Sequence, residues 1–124
     1  MAVIGFDHLV LVCADVETTL RWYLDVIGLA PVRVDEWRAG QTFFPSARVD
    51  EGTIIDFVAA APGETRGRNV DHLCLVVAGT GDPVAPEGFV VEDGPGTRYG
   101  ARGNGTSIYG HDPDGTLVEL RTYP

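Results

Sequence analysis

The sequence predicts an α+β protein in which one βαβββ unit is used twice, and three observations carry that prediction. Phe6-Asp7-His8-Leu9-Val10-Leu11-Val12 returns 64 residues later as Val70-Asp71-His72-Leu73-Cys74-Leu75-Val76. Gly52-Thr53-Ile54-Ile55-Asp56-Phe57 matches Gly115-Thr116-Leu117-Val118-Glu119-Leu120 at an offset of 63, and Arg38 and Thr42 match Arg102 and Thr106 at 64. Between the matched strands the first half carries a helical stripe followed by short β-prone runs separated by turn residues. A recurrence at a fixed offset defines the folding unit before any single residue is interpreted. Two halves of this size are each marginal alone, so they are expected to share a core or a sheet.

The elements follow in order. Val3 to Cys13 is apolar on both faces except at Asp7 and His8, as expected of a buried strand; His8 shares a face with Val10 and Val12. Asp15 is placed as a helix N-cap, Val16, Leu20, Tyr23, Leu24 and Ile27 form one apolar stripe, and Gly28 stops the helix. Strands are predicted for Val32 to Trp37, Thr42 to Val49 and Thr53 to Ala59. The stretch 61–68, with a proline, two glycines and two arginines, reads as a linker between repeats 1–60 and 69–124 of a single domain. In the second repeat the segment after Val77 has room for one helical turn at most, with Asp82 capping and Pro83 following, so the second helix is shortened. Strands are predicted for Phe89 to Glu92, Thr106 to Gly110 and Thr116 to Thr122. Gly94 to Gly105 is predicted as a long glycine-rich connection; no helix follows it, which argues against a phosphate loop.

Composition narrows the function. The net charge of −9 argues against nucleic acid and anionic membrane as partners. All nine basic residues are arginine, which excludes chemistry that needs a lysine amine. Two cysteines outside any Cys-x-x-Cys pair suit a reducing cytoplasm. No apolar run approaches the ~20 residues of a membrane span, and no signal peptide is read at the N-terminus.

The chemistry is concentrated in repeat-equivalent positions. His8 pairs with His72 in the repeat, and Asp56 pairs with Glu119. A carboxylate in the middle of an apolar strand is costly to bury alone, and a divalent cation offsets that cost. Imidazole with carboxylate suits Fe, Mn, Ni or Zn, so His8, His72, Glu119 and Asp56 are the predicted metal ligands. Asp56, one methylene shorter than Glu119, either ligates directly or acts through water or as a base. Asp7 and Asp71 are either strand-edge groups or partners of the neighbouring imidazole. Tyr109, Arg121 and Arg102 are the candidates for binding substrate. Arg121 shares a face with Glu119 and can orient either an anionic substrate or the Glu itself. Cys74 shares a face with His72, and His111 is read as a solvent-side turn residue.

Phe6-Asp7-His8-Leu9, the helix with Trp22-Tyr23 and Leu24 through Gly28-Leu29, and Ser107-Ile108-Tyr109 followed by Asp112-Pro113-Asp114-Gly115 and Glu119 resemble the vicinal oxygen chelate superfamily of glyoxalases, bleomycin resistance proteins and dioxygenases. The resemblance spans the chain. It implies two βαβββ modules forming an incomplete mixed β-barrel around a divalent metal ion, with His8, Asp56, His72 and Glu119 as ligands and Glu119 or Asp56 as catalytic base. It further implies a cytoplasmic homodimer acting on a small-molecule substrate. The expected activity is that of a metal-dependent lyase or isomerase of glyoxalase type. Alternatives are an Fe(II) extradiol-type dioxygenase and a metal-free antibiotic-binding protein of bleomycin-resistance type.

Overall fold

Apolar–polar alternation sets the opening strand, β1 (His8–Cys13): Leu9, Leu11 and Cys13 turn inward while His8 and Val10 stay open to solvent. In the computed structural model, which describes residues 1–2, 4–63 and 70–124, the chain divides into two compact units, Met1–Thr65 and Arg66–Pro124. Each holds a four-stranded mixed sheet, and no closed barrel is formed within either. Positions 64–68 of the expected linker lie outside the described residues.

In the first unit, β1 runs parallel to β4 (Thr53–Ala59), which pairs antiparallel with β3 (Ser46–Asp50), which pairs in turn with β2 (Ala30–Val32). The register places Val10, Asp56 and Ser46 in one row across the sheet. Asp15 caps α1 (Val16–Arg21) by accepting from the Thr18 N–H, and the helix continues as one π-helical turn, Trp22–Val26. Gly28, at φ +87°, ends it in a conformation that side chains disfavour. The helix lays Leu20 and Tyr23 against β4, where the Tyr23 and Phe57 rings meet at 5.2 Å. All three side chains are fully buried, each burial contributing about 1.5–3 kcal/mol.

The strand expected over Val32 to Trp37 is shorter than predicted. It stops at Val32, Arg33 takes a left-handed conformation (φ 56°), and Val34–Arg38 forms a short helix, α2. Asp35 and Glu36 favour the positive end of that helix, and Val34 alone is buried. Here the Val32/Val34 alternation mimicked a strand.

In the second unit, β5 (His72–Val76) runs parallel to β8 (Leu117–Thr122), followed by β7 (Gly103–His111) and β6 (Asp93–Gly100). Two expectations are corrected. No helical turn forms at Asp82-Pro83, and the strand expected over Phe89 to Glu92 is not one; the segment 77–92 is irregular and covers the sheet with Pro83 and Phe89. The expected connection Gly94 to Gly105 is instead a β-hairpin turning at Ala101-Arg102. Gly103 supplies the positive φ of the turn, while Gly94, Gly100 and Gly105 mark close approaches. Gly110 on β7 does the same: a Cβ there would meet the Phe89 ring at 2.9 Å and the Val90 carbonyl oxygen at 2.5 Å. Phe89 therefore takes over the covering work that α1 performs in the first unit. No helix among the described residues is long and apolar enough to cross a membrane.

Candidate metal centre

In each unit the first strand delivers an imidazole and the last strand a carboxylate. His72 Nε2 lies 3.1 Å from Glu119 Oε1, and His8 Nε2 lies 3.9 Å from Asp56 Oδ2. Both imidazoles are held the same way. The preceding aspartate takes Nδ1 at 2.6 Å, Asp7 for His8 and Asp71 for His72. A carboxylate on Nδ1 keeps the proton there and leaves the Nε2 lone pair for a ligand. The partner role for Asp7 and Asp71 is therefore the one the structure shows. The imidazole of His8 is pulled toward its charged form, first by the Asp7 hydrogen bond, against burial, and then by Asp56.

The carboxylates are buried beneath half-exposed rings: 8% exposure for the Asp56 side chain and 4% for Glu119, against 46% and 35% for His8 and His72. Each is anchored through one oxygen. Ser46 Oγ donates to Asp56 Oδ1 at 2.6 Å and itself accepts from Arg33 Nη2. Ser107 Oγ donates to Glu119 Oε2 at 2.6 Å, and Arg121 donates to the same oxygen from Nε and Nη2 at 3.0 and 2.8 Å. That leaves Glu119 Oε1 facing His72. Burial pushes the Glu119 carboxyl up, but the Ser107 and Arg121 bonds, the Arg121 charge and a bond from Tyr109 outweigh it and hold it below the usual carboxylate range.

The two hydroxyl anchors come from non-equivalent positions. Ser46 stands opposite Asp56 in the sheet, whereas Tyr109 stands opposite Glu119 and Ser107 opposite Arg121. The longer Glu side chain reaches across to the neighbouring row. Neither serine was singled out as an anchor by sequence reasoning, and no local pattern identifies that role; only the strand register does.

The remaining predicted residues separate. Arg121 is buried, donates to Glu119, the Tyr123 hydroxyl and the Tyr99 carbonyl, and lines the pocket that His72 and Glu119 share. Tyr109 stands opposite Glu119 in the sheet and packs edge-on against His72 at 5.9 Å, its phenol pushed up by burial and then by Glu119. Arg102 is exposed and lies over the Tyr123 ring at 4.4 Å. His111 ends β7 and pairs with Glu92. Cys74 opens onto a pocket of about 250 Å³ shared with His72, Glu119 and Arg121. Its thiol is pushed up to about 11 by burial and then by Glu119, so it stays protonated.

The structure thus brings His8 to Asp56 and His72 to Glu119. Among the described residues it gathers no group of three or more His, Cys, Asp or Glu side chains able to hold a metal. The donor chemistry still fits a divalent ion: each pair offers one Nε2 with Nδ1 tied back, and one carboxylate oxygen whose partner oxygen is tied back.

The model of the Glyoxalase/Bleomycin resistance protein/Dioxygenase superfamily matches residues 5–120. The chain belongs to that superfamily. Within it, the chain is 33% identical to the virulence protein STM3117 of Salmonella typhimurium, over 99% of this chain and 87% of that one. The crystal structure of the same Salmonella protein covers both chains in full, with a TM-score of 0.74 and 27% identity over the structural alignment. The glyoxalase domain-containing protein RDO1 of Mycosarcoma maydis is 30% identical over 99% of this chain and 70% of its own length. The glyoxalase-like fold class expected from the sequence is therefore the one observed. The superfamily includes glyoxalase lyases and dioxygenases alongside resistance proteins, and its membership alone does not choose between them.

Proposed function

We propose that this chain is a metal-dependent, glyoxalase-like enzyme in which the repeats 1–60 and 69–124 act as one domain. The ligands of a divalent ion, one of Fe, Mn, Ni or Zn, are drawn from His8 in the first unit and His72 and Glu119 in the second, with Asp56 as ligand or base. One observation carries this reading: the repeat-equivalent His–carboxylate pairs, each imidazole locked through Nδ1 by the aspartate before it. A metal-free binder has no use for two such locks.

The bound ion supplies Lewis acidity toward two oxygens of a small substrate. The chain's own residues divide the remaining work. Glu119, with Oε2 saturated by three donors and its carboxyl held below the usual range, serves as ligand through Oε1. Asp56 carries a single hydroxyl donor from Ser46 and stands farther from its histidine, which suits Oδ2 to accepting a proton from substrate. Tyr109, opposite Glu119 in the sheet, packs edge-on against His72 and steadies that ring. The reading extends to a cytoplasmic protein that self-associates as a homodimer. The exposed Val10 and Val76 beside the two histidines support self-association, and light scattering checks it.

Metal analysis of protein purified without added metal tests the proposal, with His8→Ala and Glu119→Ala alongside. Stoichiometric metal in the wild type, lost in both variants, is the expected result. No metal in the wild type sinks the enzyme reading and favours a binding protein; iron together with O2 uptake redirects it to oxygenation.

A further inference from the structure

The face of β8 that carries Glu119 and Arg121 continues, by the two-residue period of a strand, to Tyr123. Tyr123 shares the 250 Å³ pocket with His72, Cys74 and Glu119. Its hydroxyl oxygen accepts two hydrogen bonds, from the Arg102 backbone N–H at 3.2 Å and from Arg121 Nη1 at 3.1 Å. A phenol oxygen has two lone pairs and one proton. With both lone pairs engaged, the proton is left, and among the described residues no acceptor takes it. The arrangement is built in rather than incidental. Gly100 makes room for it: a Cβ there would overlap the Arg121 guanidinium and come within 2.5 Å of the Tyr123 oxygen. The guanidinium groups of Arg102 and Arg121 also stand over the ring, at 4.4 and 5.3 Å.

We propose that Tyr123 is a substrate-binding residue: it donates its hydroxyl proton in a hydrogen bond to an anionic oxygen of the small molecule held against His72 and Glu119. The ligand class is thereby narrowed to molecules presenting an enolate, phenolate or carboxylate oxygen. The role rests on the metal reading above, since such an anion beside Glu119 needs a cation to offset the repulsion. The Arg102 N–H, and after it Arg121, draw the phenol below its ordinary ionisation range, which makes it the stronger donor. Tyr109 does not line this pocket.

The test uses the whole chain loaded with one equivalent of Zn(II), which has no redox chemistry, and 4-nitrocatechol, a chelating bis-oxygen probe whose colour reports its ionisation. Tyr123→Phe is expected to keep wild-type zinc content and to bind the probe about tenfold more weakly, as loss of a hydrogen bond to a charged oxygen predicts. Tyr99→Phe removes an exposed phenol from the same pocket and is expected to bind like wild type. Equal affinity of Tyr123→Phe and wild type, or an equal loss in Tyr99→Phe, overturns the assignment while leaving the metal reading standing. Loss of zinc from Tyr123→Phe would make the residue structural and also overturns it. Failure of the wild type itself to hold zinc removes the metal reading, and this inference with it.

Discussion

His72 Nε2 stands 3.1 Å from Glu119 Oε1, the closer of the two imidazole–carboxylate approaches, between groups on two parallel strands. The equivalent distance in the first unit, between His8 and Asp56, is 3.9 Å. The missing methylene of Asp56 accounts for the difference in reach. Glu119→Asp should therefore weaken metal binding about tenfold or more. Asp56→Asn should cost less, and titration against a competing chelator ranks the two.

The Nδ1 locks give a second prediction. Asp71 is largely exposed and bonds the imidazole of His72 at 2.6 Å. Asp71→Ala should leave the urea midpoint within about 0.5 kcal/mol of wild type, as exposed pairs do. It should still lower metal affinity by about ten- to hundredfold. An unchanged affinity would mean that Asp71 orients nothing.

Arg121 and Glu119 form a buried ion pair, each side chain about 4% exposed. Arg121→Met strands the carboxylate in an apolar sheet and should cost about 3–5 kcal/mol. Adding Glu119→Leu should recover much of that loss. Equilibrium unfolding of the two single variants and the double variant completes the cycle, and additive losses would show that the pair is not coupled.

Phe89→Ala removes the side chain that covers Gly110 and the second sheet. The expected loss is about 3–5 kcal/mol. Since Gly110→Ala would collide with the same ring, Phe89→Ala should soften the penalty of Gly110→Ala. Thermal unfolding of all three variants reads this directly.

On the surface, Glu17 bonds Arg38 at 2.7 Å and Arg21 at 3.1 Å. Its carboxyl is held below the ordinary 4.5, first by the Arg38 hydrogen bond, against burial, and with help from Arg21. A depressed folded-state value gives stability that is present above the unfolded value and fades as pH falls through the folded one. Wild type should thus exceed Arg38→Ala by about 0.5 kcal/mol at pH 7. The gap should close as pH drops below 4.5, and it should shrink in high salt.

Much of this was legible because the repeat repeats its chemistry. β4 was read residue for residue as Thr53–Ala59, and Asp15 caps its helix as its side chain and position demand. His8, His72, Asp56 and Glu119 were named from their equivalent offsets, while the pairing of each histidine with a carboxylate came from the strand order. The errors share a cause: local rules were applied where long-range packing decides. Glycines 100 and 105 were taken as breakers, yet they lie in a hairpin where neighbouring side chains or backbone leave no room for a Cβ. Val32 and Val34 alternate like a strand, but the left-handed Arg33 between them turns the chain into a helix. The anchoring roles of Ser46 and Ser107 were missed because a hydroxyl becomes an anchor only through cross-strand register, which no single segment encodes. Tyr123 could have been found, since Glu119, Arg121 and Tyr123 alternate on one face.

His8 and His72 each have Nδ1 held by the residue immediately before them in the chain, not by a partner brought in by folding. The nitrogen offered is consequently fixed by a dipeptide and indifferent to what surrounds it. Substitutions along the hairpin, in the irregular segment over the second sheet, or beyond the last strand can reshape what those imidazoles face without changing what they offer. Such a scaffold lets selectivity drift while the coordinating atoms persist.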